Sequence, residues 1–221
     1  MELLYRAEGT LETGTLGEPV IRIRGVPESD DPRDKIIRPL LAAPYLETGE
    51  EKFILLTETG PEGMGTHAEF AMIGGALFHK VRGAWEGEIE QREITGMGSF
   101  GHAPDGELLA IGPDKHGFLF RPEWAGQGNV AQNAILIGIV DGLFRVLFSH
   151  EIRIHGEVEE DVWEYTAVME LIPGGNPAYY DIRMTTTGTN PMQGNVEPFG
   201  TVEIFTFNGR EYVLLDPRGL E

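Results

Sequence analysis

Short runs of alternating apolar and polar residues dominate the pattern along this chain. Residues 18–24 alternate in this way, which is typical of a strand with one buried face. Helical periodicity is hard to find, and the best candidate, residues 34–46, is interrupted by Pro39 and Pro44. The pattern therefore predicts strands nearly throughout, with one short helical turn at most, near residues 35–37.

Glycine-containing turns separate the apolar runs. Asp141-Gly142 and Asn208-Gly209 each lie between two such runs, and both pairs are typical of type I′ hairpin turns. About fourteen short strands result, at intervals of roughly 8–15 residues. The sequence predicts an all-β fold, an antiparallel meander built as either an irregular β-propeller or a β-sandwich.

No linker clearly divides the chain. Residues 26–34 form the only candidate boundary, and residues 186–200 are predicted to form a long loop. With 221 residues, the chain is long enough to bury a large core without disulfides or metals. We expect one domain over residues 1–221, with residues 1–34 as a candidate semi-independent strand segment.

Composition and charge exclude several kinds of chemistry. The chain has no cysteine, which excludes disulfides, Cys-ligated zinc, Cys-held Fe–S clusters and thiol catalysis. Its formal net charge is −19, so it would repel a phosphate backbone. We expect no nucleic-acid partner. Because no apolar run approaches the roughly 20 residues that cross a bilayer, we also expect no membrane insertion.

Two catalytic signatures are weak or missing. Residues 96–101 match the G-x-G-x-x-G pattern, but the residues that follow, through Pro104, cannot open the helix that a dinucleotide site requires. We therefore interpret this stretch as a turn. A G-x-S-x-G nucleophile motif is absent from the sequence.

Three glycine-rich loops, at residues 65–69, 98–102 and 126–129, each precede an apolar run that ends in phenylalanine. The three loops lie at comparable positions in successive hairpin units, so the fold could bring them together on one rim. Neutral imidazole is the commonest metal ligand, and residues two apart share one strand face. The candidate metal ligands are His67, Glu69 and His102. The candidate ligand-binding residues are His67, His102, His116, Trp124 and Asn129.

Aromatic residues offer a second kind of site. Tryptophan and tyrosine side chains either stack on sugar rings or fill a half-buried strand face. The residues that could form a carbohydrate-stacking platform are Trp85, Trp124, Trp163, Tyr165, Tyr179 and Tyr180.

Residues 65–70 and 73–78 resemble a set of uncharacterised, often exported bacterial proteins. Those proteins read Gly-Cys-His-Ala-Cys-Ala before a similar strand, whereas this chain has Thr66 and Glu69 in place of the two cysteines. The resemblance implies an exported all-β protein and supplies no catalytic residue. Further matching stretches are residues 98–101, 103–104, 111–113, 117–120, 127–128, 177–181 and 207–212.

Residues 1–6 lack the basic and long apolar regions of a signal peptide. The sequence therefore indicates either a cytoplasmic protein or one whose leader has been removed. The resemblance slightly favours export.

The sequence favours a non-enzymatic all-β binding or assembly module, with a glycan or protein partner, at the cell envelope or outside the cell. One alternative is a metal-dependent enzyme that uses His67, His102 and His116 with Glu69 or Asp105. A divalent metal would be its only cofactor. Another alternative is a subunit of an extracellular polymer that self-assembles by adding residues 2–12 to a neighbour's sheet edge.

Overall fold

The computed structural model describes residues 11–13, 19–22, 35–126, 128–158, 161–192 and 195–215. These residues contain fifteen β-strands, paired in antiparallel fashion, and no helix. The predicted all-β antiparallel meander is confirmed. The one short helical turn that the sequence allowed near residues 35–37 does not form, because these residues begin a strand. No segment of the described chain forms a helix long and apolar enough to span a bilayer.

The first six strands form one sheet in sequence order. They are β1 (Leu11–Thr13), β2 (Pro19–Arg22), β3 (Lys35–Glu47), β4 (Glu50–Pro61), β5 (Ala71–Val81) and β6 (Ala84–Met97). Strand β3 is longer than the sequence suggests, because it continues through Pro39 and Pro44. Among the described residues, β2 pairs with Ile36 and Ile37 of β3, so both prolines lie outside this described pairing.

The remaining strands form a nine-stranded sheet in the order β15-β14-β13-β12-β11-β10-β8-β7, and β9 pairs with β10. The strands are β7 (Gly106–Ala110), β8 (His116–Phe120), β9 (Glu123–Gly126), β10 (Asn129–Val140), β11 (Leu143–Val158), β12 (Asp161–Ile172), β13 (Asp181–Met192), β14 (Asn195–Phe207) and β15 (Tyr212–Leu214).

The long loop predicted for residues 186–200 is wrong. These residues form parts of β13 and β14, which pair from Ile182↔Phe205 to Met192↔Asn195. Glycine, proline and asparagine made the stretch look like a loop. Its threonines favour an extended strand instead, since β-branched side chains fit a pleated surface.

The chain divides into two compact units. The first unit contains Met1–Glu107 and Asp141–Phe144, and the second contains Leu108–Val140 and Arg145–Glu221. The single domain over residues 1–221 stays a prediction, as does the choice between a propeller and a sandwich. Of residues 1–34, the described parts are β1 and β2, which pair with each other. The N-terminal segment 2–12 of the polymer hypothesis falls almost entirely outside the described residues.

Each unit has its own buried apolar residues. In the first unit, Ile54, Leu56 and Ile73 are inaccessible to solvent. In the second unit, Leu136 and Ile182 belong to a larger cluster that draws on most of its strands. The apolar runs that follow the glycine-rich loops are therefore strand cores in both units.

The structure confirms one of the two predicted type I′ turns. Asp141 and Gly142 have φ values of 53° and 71°, as such a turn requires. At the other site only Gly209 has a positive φ, so the type I′ assignment is wrong there. Asn208 accounts for the difference, because its Oδ1 accepts hydrogen bonds from the backbone amides of Arg210 and Glu211 at 2.9 and 3.0 Å.

The β3–β4 turn places a strained residue next to a glycine. Thr48 has a φ of 52°, and Gly49 has a φ of 81°. A β-branched residue in this left-handed region is an outlier, whereas asparagine tolerates it. We expect Thr48→Asn to raise the free energy of unfolding by about 1 kcal/mol, measured by urea denaturation.

Thr48→Ala is the matched control, since it removes the branch without supplying a residue that favours positive φ. The strain explanation is contradicted if the asparagine variant is no more stable than the alanine variant.

Candidate functional site

Two of the three predicted loops lie together in the first unit. The amide of Gly65 donates to the carbonyl of Phe100, and the amide of Gly101 donates to the carbonyl of Glu69, each at 2.9 Å. The ring of His67 meets the Phe100 ring edge-to-face, with centroids 5.2 Å apart. The loops at 65–69 and 98–102 thus form one bonded structure at the end of the first sheet.

A buried carboxylate beneath these loops holds His102. Glu58 on β4 has a side chain only 7% exposed. Its Oε1 lies 3.1 Å from His102 Nδ1 and accepts a hydrogen bond from Arg38 at 3.2 Å. Its Oε2 accepts the backbone amide of Ala103 at 2.7 Å. The imidazole is therefore held through Nδ1, which leaves Nε2 turned away from the carboxylate.

The backbone of the 98–102 loop is strained where it approaches β4. Phe100 has a φ of 55°, although it carries a side chain, and Gly98 has a φ of 85°. A side chain on Gly98 would collide with the carbonyl of His102. Such strain persists only where the surroundings over-determine it, and the bonds to Glu58 supply that constraint.

The geometry around His102 limits its chemistry. A histidine whose Nδ1 is held by a carboxylate is oriented as metal ligands and general bases are. Within the described chain, however, no group of three or more His, Asp and Glu side chains is placed to hold a metal ion. The carboxylate of Glu69 instead accepts the amide of Thr66. The metal site of His67, Glu69 and His102 stays a prediction, and the described contacts indicate a clasp between the loop and the sheet.

The other predicted site residues belong to the second unit. His116 begins β8, Trp124 lies in β9 and Asn129 begins β10. The expectation of one rim for all three loops stays a prediction. Within the second unit, however, Trp124 and Asn129 come together on the sheet.

Trp124, Asn129 and Trp163 surround two glycines on one sheet face. The Trp124 indole lies over Gly126, where an added Cβ would come within 2.5 Å of the ring. Gly126 pairs with Asn129 across β9 and β10. The Asn129 amide oxygen and the Trp163 indole both cover Gly156, where a Cβ would meet the Trp163 ring at 2.9 Å. The glycines leave the space that these side chains occupy.

The aromatic row continues beyond Trp163 along the same face. The rings of Trp163 and Tyr165 lie 6.4 Å apart, and Phe199 meets Tyr165 edge-to-face at 5.5 Å. Trp124 is 52% exposed, and the other three rings are half-buried. We call Trp124, Asn129, Trp163, Tyr165 and Phe199 the aromatic platform.

Two polar groups of the platform bear on ligand binding. The indole Nε1 of Trp163 is shielded from solvent and has no hydrogen-bond acceptor among the described residues. The hydroxyl of Tyr165 donates to Glu151, whose carboxyl has a pKa raised by burial. Trp163 thus keeps a buried donor without an acceptor among the described residues, while Tyr165 is held in place.

Sequence reasoning found part of this platform and missed the rest. Trp124, Asn129, Trp163 and Tyr165 were all candidates, whereas Phe199 lies in the segment that was predicted to be a loop. Tyr179 instead stacks on Phe207 at 3.9 Å, beside the core of the second unit. Trp85 lies in the first unit. The strand-forming residues of β14 are the feature of the sequence that could have placed Phe199 in a strand.

No protein-family model matches this chain, and comparisons with curated proteins and with solved structures also find no match. The resemblance to exported bacterial proteins stays a prediction.

The Glu58 clasp gives a stability prediction. Glu58→Gln removes the carboxylate charge that is paired with Arg38, and breaking a buried ion pair leaves the remaining charge uncompensated. We expect the free energy of unfolding to fall by about 3 kcal/mol, measured by chemical denaturation. The exposed Glu93→Gln variant of the same unit is the control, and it should change stability by less than about 0.5 kcal/mol. Equal effects from the two variants would contradict the clasp.

Proposed function

We propose that this chain is a non-enzymatic binding module whose aromatic platform takes a glycan. The observation that carries the proposal is the convergence of Trp124, Asn129 and Trp163 over two glycines on one sheet face. The platform combines flat apolar surface with a side-chain amide. A sugar has the same two kinds of surface, apolar C–H faces and hydroxyl edges.

The rings of the platform supply the stacking surface. An indole offers a large rigid face, with little entropy lost when a ligand covers it. The 52% exposure of Trp124 leaves much of its ring accessible. A ring that served only the core would be more deeply buried, as Phe118 and Phe144 are.

Hydrogen bonding at the platform is suited to hydroxyl groups. The amide of Asn129 can both donate and accept, and the buried Nε1 of Trp163 is a donor only. The platform carries no lysine or arginine, so a neutral saccharide fits better than a phosphorylated one.

The proposal predicts glycan binding that depends on Trp124. On a glycan array followed by calorimetry, we expect the intact protein to bind a neutral oligosaccharide. Trp124→Ala should weaken that binding at least about tenfold, because exposed aromatic anchors dominate binding energy. Since Trp124 is half-exposed, its removal should leave the fold intact, which circular dichroism checks.

Trp85→Ala is the matched control, because it removes an exposed indole from the other unit. It should leave glycan affinity unchanged. Absence of binding to any saccharide on the array would contradict the proposal, and so would equal losses from the two tryptophan variants.

A further inference from the structure

The first half of β6 is an exposed strand at the edge of the first sheet. Among the described strands β6 pairs only with β5. Residues 84–88 are all exposed. An edge strand presents unpaired N–H and C=O groups that can accept another strand. This edge is therefore a place where an extended segment of a partner could pair.

A groove lies directly beside this edge. It has a volume of about 410 Å³ and is lined by Ala76, Phe78, Trp85, Gly87 and Ile89, together with Glu86, Glu88 and Glu90. Phe53 supports its aromatic wall, with its centroid 5.8 Å from Trp85 and 6.3 Å from Phe78. Gly87 pairs with Phe78. Because Gly87 has no side chain, the face of the edge strand is open to the aromatic wall.

The two faces of this edge differ in chemistry. Phe78 pairs with Gly87, and Lys80 pairs with Trp85, so the groove and its aromatic rings share one face. Glu86 pairs with His79 and therefore points to the opposite face. Glu88 is an extra residue at a β-bulge, and its carboxylate bonds Lys52 on that opposite face at 2.8 Å. One face carries the aromatic rings, with Glu90 further along it opposite Ala76, and the other face carries Glu86 and Glu88.

The acidic face carries a carboxylate that no described cation pairs with. Glu88 is paired with Lys52, and Glu50 also lies 3.4 Å from the Lys52 ammonium. Glu86 has no ion-pair partner among the described residues. The ammonium of Lys80 is paired with Glu51 and lies 5.7 Å from the Trp85 ring. Lys80 is thus neutralised, and the unpaired charge at this edge is the negative charge of Glu86.

We propose that the edge of β6 binds a short extended segment of a partner protein in which basic and apolar residues alternate. Strand pairing places the partner's side chains opposite those of β6 on each face. One set would enter the groove over Phe78 and Trp85. The other set would meet Glu86, where opposite charges stabilise the pair.

The same features disfavour a second copy of this chain at this edge. Two acidic edges would repel each other, in keeping with the net charge of −19. The bulge at Glu88 also limits the regular stretch of β6 to a few residues. A bulged, charged edge resists open-ended sheet growth, so a short basic segment is the occupant that it admits.

The probe is the short peptide Lys-Phe-Lys-Val-Lys-Val with blocked ends, titrated by calorimetry into the intact protein. We expect binding that weakens as salt is raised, because exposed charges are screened. Three control peptides should each bind at least about tenfold more weakly. They are the Glu-Phe-Glu-Val-Glu-Val peptide, the block peptide Lys-Lys-Lys-Phe-Val-Val, and the original peptide N-methylated at alternate residues.

Gly87→Leu is the decisive variant. The φ of Gly87 is not positive, and an added Cβ would meet Phe78 at 3.9 Å, an ordinary contact. The leucine should therefore fill the groove without harming the fold, and it should weaken peptide binding at least about tenfold. Glu86→Gln should weaken binding severalfold and reduce its salt dependence. The exposed Glu123→Gln of the second unit should change neither.

Peptide binding that survives Gly87→Leu would contradict the assignment of the peptide site to the groove. Equal affinity for the N-methylated peptide would overturn strand pairing. Absence of binding at low salt would contradict the proposal. The bulge and the charges would then serve only to protect the edge from pairing with another strand. Glycan binding at the aromatic platform should persist in Gly87→Leu, so this proposal and the glycan proposal can fail separately.

Discussion

Antiparallel pairing is the constraint on which the rest of this structure depends. In a paired strand each residue points to one of two faces, and residues two apart share a face. Long strands thus carry two independent rows of side chains. In β12 one row contains Trp163 and Tyr165 and continues through Ala167 into the core of the second unit. The aromatic platform is the outer end of the same row that builds the core.

Glycines, which have no side chain, determine where a sheet face is open. Gly126 and Gly156 lie beneath Trp124, Asn129 and Trp163, and a Cβ at either glycine would displace these side chains. Gly87 leaves the groove beside β6 open to Phe78. In both units the candidate site lies where a glycine interrupts an otherwise filled face. The glycines shape the sites, while the aromatic rings supply their surface.

Local patterns predicted the fold class well, because strand alternation and turn chemistry are properties of neighbouring residues. Asp141-Gly142 shows this, since both residues take the φ values that their type favours. Asn208-Gly209 has the same local signature, yet the Asn208 side chain bonds the backbone and selects a different turn. Competing hydrogen bonds of this kind cannot be read from a dipeptide.

Contacts between distant residues account for what the sequence did not predict. Glu58 and His102 are far apart in sequence, and the pairing of β4 with β5 and of β5 with β6 brings the loop after β6 to Glu58. Phe199 joins the platform through Gly188, which pairs with both Tyr165 and Phe199. Trp124 and Asn129 were predicted as binding residues, but their shared face depends on the register of β9 and β10.

The three tryptophans of the chain allow a direct test of the central claim. Each indole N–H gives its own proton–nitrogen NMR signal, which substitution of single tryptophans would assign. In a titration with the neutral oligosaccharide that binds best, the signals of Trp124 and Trp163 should shift together and that of Trp85 should stay in place. A shift of Trp85 alone, or no shift of any indole signal, would contradict the assignment of glycan binding to the aromatic platform.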